Sequence, residues 1–401
     1  MASAQVTARP EAPGPAGTAE GGIYVHFAYC ARRCVYCDFA LATPRRIPVT
    51  AYTDALIAEL AALERAGMGL GGRARTLYVG GGTPSLWDPR ELARFLDAVH
   101  REVGLDPTAE LTLEANPEDV TEDWLAAVLA LGVNRISLGV QSLDAPTLAS
   151  LSRAHGVSGA TLAMTRLAEA HAQGRLRSFS VDLIYGHVGQ TMAAWEAELD
   201  QVVARFAPPH LSLYALTVEP RTVLGLEVRR GKTAAPDDGL QGDMLFAARD
   251  RLAPSGYTHY EVSSWARPGH VAVHNSAYWE LRPWLGLGAG AHGFVAGQRT
   301  KNEPRPARYV EHLAAGTLAH VEVEVPDTAT LAFERVLTGL RRLDLGVVLP
   351  AVDVQRFAVA IATSRAKGWL TTDALPQGEA RLRLTDHGLR FMDDVLLAFV
   401  P

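Results

Sequence analysis

The stretch Tyr24-Val25-His26-Phe27-Ala28-Tyr29-Cys30-Ala31-Arg32-Arg33-Cys34-Val35-Tyr36-Cys37-Asp38-Phe39 decides the reading of this chain. A short β-branched and aromatic run over residues 23–27 leads straight into three cysteines at C-x3-C-x2-C spacing. Three thiolates on one tight loop can hold three irons of a four-iron cubane and leave the fourth iron open to a small molecule. The 401-residue chain has 3 cysteines in all, so no fourth thiol closes that site. An odd, clustered set of thiols cannot build a disulfide framework and points to metal or redox chemistry in a reducing, cytoplasmic compartment. Two other readings stand beside it: cysteines packed in a core, and a zinc site completed by His26.

The run before the cysteines is the first of six. Residues 23–27, 76–79, 111–114, 135–140, 179–184 and 211–216 read as strands, mostly near-continuous apolar runs of the kind buried on both faces of a parallel sheet. Between them lie amphipathic stretches with helix start signals, such as Asp88-Pro89 and Thr121-Glu122-Asp123. The fold class is therefore α/β, a partial (β/α)6 barrel over 22–220, short of a closed eight-fold one. A connection rich in Gly, Pro and Asp then opens a segment over 221–325 that reads as covering the barrel. Helical patterns over 331–343 and 352–367 lead into a small, mostly helical, winged-helix-like module over 326–401. Residues 1–21 read as a disordered leader, with neither a basic segment nor an apolar core of a secretory signal.

A hydrophobic content of 48% supports two cores, and no apolar run is long enough to span a bilayer. With Lys+Arg 38 against Asp+Glu 44, the formal charge of -6 argues against a nucleic-acid partner, whose phosphates want a basic face.

Polar residues at the carboxyl ends of buried parallel strands are the usual ligand contacts, and Glu114, Gln141 and Asp182 stand there. A carboxylate that caps a helix or pairs at the surface is the plainer account of Glu114 or Asp182 taken singly. The turn Gly80-Gly81-Gly82-Thr83-Pro84 after the second strand is a weak signal alone, although glycines let a ligand approach the main chain closely.

The cysteine loop resembles the signature of the radical S-adenosylmethionine (SAM) superfamily. That resemblance implies a [4Fe–4S] cluster on Cys30, Cys34 and Cys37, with SAM beside it. Tyr36 falls where the superfamily packs a side chain on the adenine, and Gly81, Gly82 and Thr83 lie in its glycine motif. The stretches around Glu114, Gln141 and Asp182 are similar to the oxygen-independent coproporphyrinogen III oxidase branch, and Arg153 follows Gln141 at that branch's distance. The resemblance implies that Glu114, Gln141 and Asp182 hold the ribose and its polar neighbours, and that Arg153 pairs with SAM's carboxylate. Tyr24 and Thr217 are lesser candidates.

Within the branch, the chain resembles the HemW-type haem chaperones. The oxidases resemble C-x3-C-x2-C-x-C with a longer N-terminal arm, whereas here Phe39 occupies the position of the extra cysteine. His274-Asn275-Ser276-Ala277-Tyr278-Trp279 matches a motif associated in that family with haem, which makes His274 the implied axial ligand. A hydrogen-bonded core histidine is the plainer account of it. The implied partners are haem, haem-accepting proteins and an electron donor to the cluster, with transient membrane contact open. Porphyrin synthesis by coproporphyrinogen III oxidation is the alternative function. Two features need separate mention. Phe27-Ala28-Tyr29 departs from the Ile-Pro-Phe that often precedes the first cysteine. Gly288-Ala289-Gly290-Ala291-His292-Gly293 fits G-x-G-x-x-G formally but opens no dinucleotide-binding unit, and reads as a turn near the cofactor.

Overall fold

Six runs with an apolar residue at every second position fold into β1 (Gly22–Phe27), β2 (Ala74–Gly81), β3 (Leu105–Ala115), β4 (Arg135–Gln141), β5 (Ser178–Tyr185) and β6 (His210–Ala215). Each pairs in parallel with the next, and helices cross between them. The structure, a computed structural model, describes residues 21–400. The leader read over 1–21 therefore lies outside the described residues, Gly21 apart. The helix signals act as read. Asp88 accepts the Arg90 amide at the start of Pro89–Glu102, and Thr121 accepts the Trp124 amide at the start of Glu122–Ala130. Such a cap contributes about 1 kcal/mol.

The strands are not apolar on both faces, which corrects the sequence reading. Ile23, Val25, Leu77, Val79, Leu138 and Val181 belong to the buried core that also holds Leu56, Phe95, Leu167 and Leu199 of the surrounding helices. The alternate residues turn inward and are polar: Tyr24 pairs with Tyr78, Glu114 with Ser137, Ser137 with Ser180, and Asp182 with Ser212. Buried polar groups persist only when they bond to one another. Ser180 meets His210 Nδ1 at 2.9 Å, and His210 Nε2 meets the Tyr260 hydroxyl at 2.8 Å. The barrel thus encloses a hydrogen-bonded interior instead of layers of aliphatic side chains.

Residues 221–325, expected to cover the barrel, also extend its sheet at both edges. The hairpin β7 (Thr258–Glu261) and β8 (Ser264–Ala266) joins β6. On the other side β9 (Trp284–Leu287) pairs in parallel with β1, followed by β10 (His292–Val295), β11 (Gln298–Asn302) and β12 (His320–Glu324). The result is one sheet of 12 strands.

The C-terminal module keeps a core of its own, centred on Val336, Leu349, Leu382, Val395 and Phe399. Its β13 (Val347–Leu349), β14 (Leu370–Ala374) and β15 (Ala380–Leu384) form a small antiparallel sheet among short helices, the winged-helix-like arrangement. Where one helix was read over 352–367, two occur, Ala351–Arg356 and Ala358–Ala366, because the backbone leaves helical geometry at Phe357. Arg342 ties the module to the barrel through Glu280 at 2.8 Å. Among the described residues, no helix is long and apolar enough to cross a membrane.

Candidate functional site

All six parallel strands point their carboxyl ends at one mouth, where a cavity of about 650 Å³ opens. That volume is in the ordinary range for small-molecule sites. The cavity is lined by Cys30, Cys34 and Cys37 together with Tyr36, and by Gly81, Gly82 and Thr83. Glu114, Gln141, Arg153, Asp182 and Thr217 complete the set of expected residues that meet there. Residues separated by almost 190 positions in sequence are thus gathered because each follows, or ends, a strand of the same parallel sheet.

The cysteine loop is held from three sides. The Cys30 amide donates to Ala42 O at 3.1 Å, and the Arg33 guanidinium reaches the carbonyls of Cys37 (3.3 Å) and Leu41 (2.9 Å). The glycine motif supplies the third anchor. The Gly82 amide donates to Phe27 O and the Thr83 amide to Tyr29 O, while the Thr83 hydroxyl lies 3.2 Å from Cys30 Sγ. A β-carbon on Gly82 would stand 2.5 Å from Tyr29 O, so only glycine allows this approach. Burial pushes the Cys30 thiol up to about 11 and raises Cys37. Bare thiolates are thus disfavoured here even beside the Arg153 charge, until a metal's positive charge offsets the desolvation.

Among the described residues, no three His, Cys, Asp or Glu side chains converge on a single ion. Thiols on three corners of a cubane need no such convergence, whereas a zinc ion does.

Arg153 carries the sharpest sign of a missing partner. Its Nη2 donates to Asn116 Oδ1 at 2.6 Å and Gly139 O at 2.8 Å, and its Nη1 faces Cys34 Sγ at 3.6 Å. Its Nε is buried without a partner. An orphaned donor on a fixed guanidinium at a cavity wall suits a carboxylate. Gln141 sits at φ 70, where β4 bulges against β5 between Gly139 and Gln141. Such a conformation costs on the order of 1–3 kcal/mol and is retained where surrounding structure requires it.

Two carboxyls project into the cavity from the inner face. Glu114 accepts from the Tyr78 hydroxyl at 2.7 Å and the Gly81 amide at 3.0 Å. Burial, and then the charge of Asp182, push its pKa up to about 7. Asp182, raised by burial as well, accepts from Ser137 at 2.9 Å and Ser180 at 2.8 Å. Both are therefore cavity groups rather than surface ion pairs or helix caps.

Two expected residues are not brought to this cavity. Tyr24 lies inside the barrel with its hydroxyl on His26 Nδ1 at 2.9 Å. His274, implied by the resemblance as an axial haem ligand, is the second. It is 2% exposed at the opposite end of the barrel, where a β-carbon on Gly22, at the start of β1, would touch its ring. Nδ1 lies 2.7 Å from Thr76 Oγ1 and Nε2 lies 2.8 Å from the Tyr278 hydroxyl, so both ring nitrogens are engaged. Burial also drops its pKa to about 3. The formal glycine motif at 288–293 is a turn: the Gly288 amide donates to the buried Glu59 carboxyl at 2.9 Å.

Sequence reading missed Tyr78, Asn116, Ser137 and Tyr214, all of which hold or line the site. Three of them betray themselves only through the period of two that places them on the inner face.

The chain as a whole is similar to known proteins. The model of the Radical SAM superfamily matches residues 24–202. "Heme chaperone HemW" of Mycobacterium tuberculosis (strain ATCC 25618 / H37Rv) is 38% identical over 376 residues, covering 94% of this chain and 93% of that protein. "Heme chaperone HemW" of Escherichia coli (strain K12) is 31% identical over 393 residues, covering 94% and 97%. The mitochondrial "Radical S-adenosyl methionine domain-containing protein 1" of Mus musculus is 40% identical over 414 residues, covering 98% and 90%. Among solved structures, coproporphyrinogen III oxidase (HemN) from Escherichia coli superposes with a TM-score of 0.78 at 20% identity, over 96% of this chain and 91% of that one, which is a likeness of fold. With cysteines, glycine motif and strand-end polar residues in one cavity, and with relatives matched along nearly the whole chain, this protein belongs to the HemW family of the radical SAM superfamily.

Proposed function

We propose that this chain is a cytoplasmic haem chaperone that holds a [4Fe–4S] cluster on Cys30, Cys34 and Cys37, binds SAM in the cavity, and passes haem to acceptor proteins. The family membership implies the cluster and SAM, and the relatives named heme chaperone support the cargo. The residues fit the cofactors: three thiols on one anchored loop leave one iron free, and Arg153, whose Nε is buried without a partner, lines the same cavity. The cluster, when bound and reduced by an electron donor, supplies one electron at an open iron. The chain's own residues do the holding. Arg153 takes SAM's carboxylate, Tyr36 packs on the adenine, the Gly81-Gly82-Thr83 backbone meets the amino group, and Glu114, Gln141 and Asp182 take the ribose and its neighbours. Thr217 lines the same wall.

The observation that carries this reading is the convergence of the three cysteines and Arg153, a guanidinium with one buried, partnerless donor, on the lining of one cavity. Anaerobic reconstitution with iron and sulfide, followed by haem titration and a coproporphyrinogen III assay on the same sample, tests it. Stoichiometric haem binding without turnover is the expected result. Conversion to protoporphyrinogen IX would make the chain the oxidase instead, with Phe39 no obstacle to that chemistry.

A further inference from the structure

From Asp182, which lines the cavity, a line of hydrogen bonds runs through the barrel interior to the covering extension. Its members are Ser180 of β5, His210 of β6 and Tyr260 of β7, and all three are buried. Ser180 and His210 stand opposite each other in the register of β5 and β6. Tyr260 is held at the far end, where its carbonyl accepts the Leu343 amide at 3.0 Å and its hydroxyl accepts the Ala272 amide at 3.3 Å.

The acceptors along this line set the order of its protons. A serine hydroxyl has one proton, and that of Ser180 goes to Asp182 Oδ1 at 2.8 Å. Were it to turn to His210, the hydroxyl and carboxylate oxygens would meet at that distance with no proton between them. Ser180, 2.9 Å from His210 Nδ1, therefore accepts there, which puts a proton on Nδ1. Burial, and then the charge of Arg135, hold the His210 pKa well below its ordinary value, so the ring is neutral and its other nitrogen is bare. The Tyr260 hydroxyl, 2.8 Å from Nε2, donates to that bare nitrogen.

This order makes Asp182 an acceptor throughout. Ser137 donates to Oδ2 at 2.9 Å and Ser180 to Oδ1, and the carboxylate's remaining lone pairs are available to a ligand in the cavity it lines. A ligand hydroxyl suits such a group, and a ligand carboxylate does not. If the His210 proton moved from Nδ1 to Nε2, the Ser180 proton would turn to Nδ1 and Asp182 would lose a donor inside the barrel, where an unpaired polar group is costly.

We propose that His210 and Tyr260 are positioning residues of the SAM site: they hold the Ser180 proton on Asp182 and so fix Asp182 as an acceptor for a ribose hydroxyl. This rests on the reading of the cavity as the SAM site. The test uses the full chain after anaerobic reconstitution. Long-range hydrogen–nitrogen correlation NMR of isotope-labelled histidines should show His210 protonated at Nδ1, and a proton at Nε2 would overturn the proposal. SAM affinity, measured by calorimetry, should fall about tenfold in His210→Leu and about threefold in Tyr260→Phe, which loses only the far bond of the line. His210→Gln should stay within about twofold of the parent, because its amide can donate to Ser180 while its carbonyl accepts from Tyr260. Equal losses in His210→Leu and His210→Gln, or parent-like affinity in both His210→Leu and Tyr260→Phe, would overturn the positioning role while leaving the SAM reading intact. Absence of SAM binding in the parent protein would instead overturn that reading, and this assignment with it.

Discussion

Tyr78 donates its phenol proton to Glu114 Oε1 at 2.7 Å, and the other oxygen of that carboxyl accepts the Gly81 amide at 3.0 Å. One side chain of β3 thus ties down the end of β2 from which the glycine motif departs, and it does so from a buried position. Burial and the neighbouring Asp182 push its pKa up to about 7, above the ordinary 4.5. Between those values the folded protein keeps a proton that the unfolded chain has lost. Stability from this group is therefore full below about pH 4.5 and falls as pH rises toward 7, with no further change above it. Melting temperature against pH in the ligand-free protein should show this slope, and Glu114→Gln should flatten it by on the order of 2–3 kcal/mol. The buried Glu59 is raised to about 7 by burial too, so the difference between parent and variant is the quantity to compare. An identical slope in both would remove Glu114 from the account.

Gly82→Ala should loosen the cysteine loop. The new β-carbon would meet Tyr29 O at 2.5 Å, and neither backbone can retreat without breaking the Gly82 and Thr83 amide bonds to the loop. Overpacking of this sort costs about 1–3 kcal/mol. Iron and sulfide content after reconstitution should drop well below that of the parent, while far-ultraviolet circular dichroism stays the same. Full cluster content in the variant would mean that the loop does not depend on this contact.

Arg153→Lys separates charge from geometry. Lysine keeps the charge but cannot hold Asn116, Gly139 O and a carboxylate from one planar fork. SAM affinity of the reconstituted protein, measured by calorimetry, should fall by about 1.5–3 kcal/mol, the loss of a charge-assisted bond. Affinity equal to the parent's would mean that SAM's carboxylate is held elsewhere.

His274→Ala should act on stability. The substitution empties the space beside Tyr78 and Tyr24, whose rings lie 5.2 and 6.4 Å from the imidazole, and strips partners from Thr76 and Tyr278. A loss of about 2–4 kcal/mol in chemical unfolding is expected from the cavity and the orphaned hydroxyls. Parent-like stability would contradict the enclosed position described for this ring.

Much of the site could be read from the chain because its parts are local. The cysteine spacing, the glycine turn after β2, and single polar residues closing apolar runs are features of a few neighbouring residues, and Cys30, Cys34, Cys37, Glu114, Arg153 and Asp182 do line one cavity. The six strands also fall where their apolar runs lie, with ends moved by a few residues. The surroundings of His274 are the opposite case. Its short motif, with a tyrosine four residues on, describes a helix turn but not the direction in which that turn faces.

By itself, the sequence determined that six parallel strands form, that a three-cysteine loop follows the first, and that polar side chains end at one mouth. Those outcomes depend on local propensity and on the alternation of side chains along a strand, which any short segment carries. Only the tertiary structure decided that the barrel interior is a polar, hydrogen-bonded one, because the inner face exists only after Tyr78, Glu114, Ser137, Asp182 and His210 have been brought together by pairing of the strands. It alone decided the surroundings of His274 as well. Whether an imidazole nitrogen is occupied depends on groups distant in sequence, Thr76 for His274, and no spacing rule encodes that pairing.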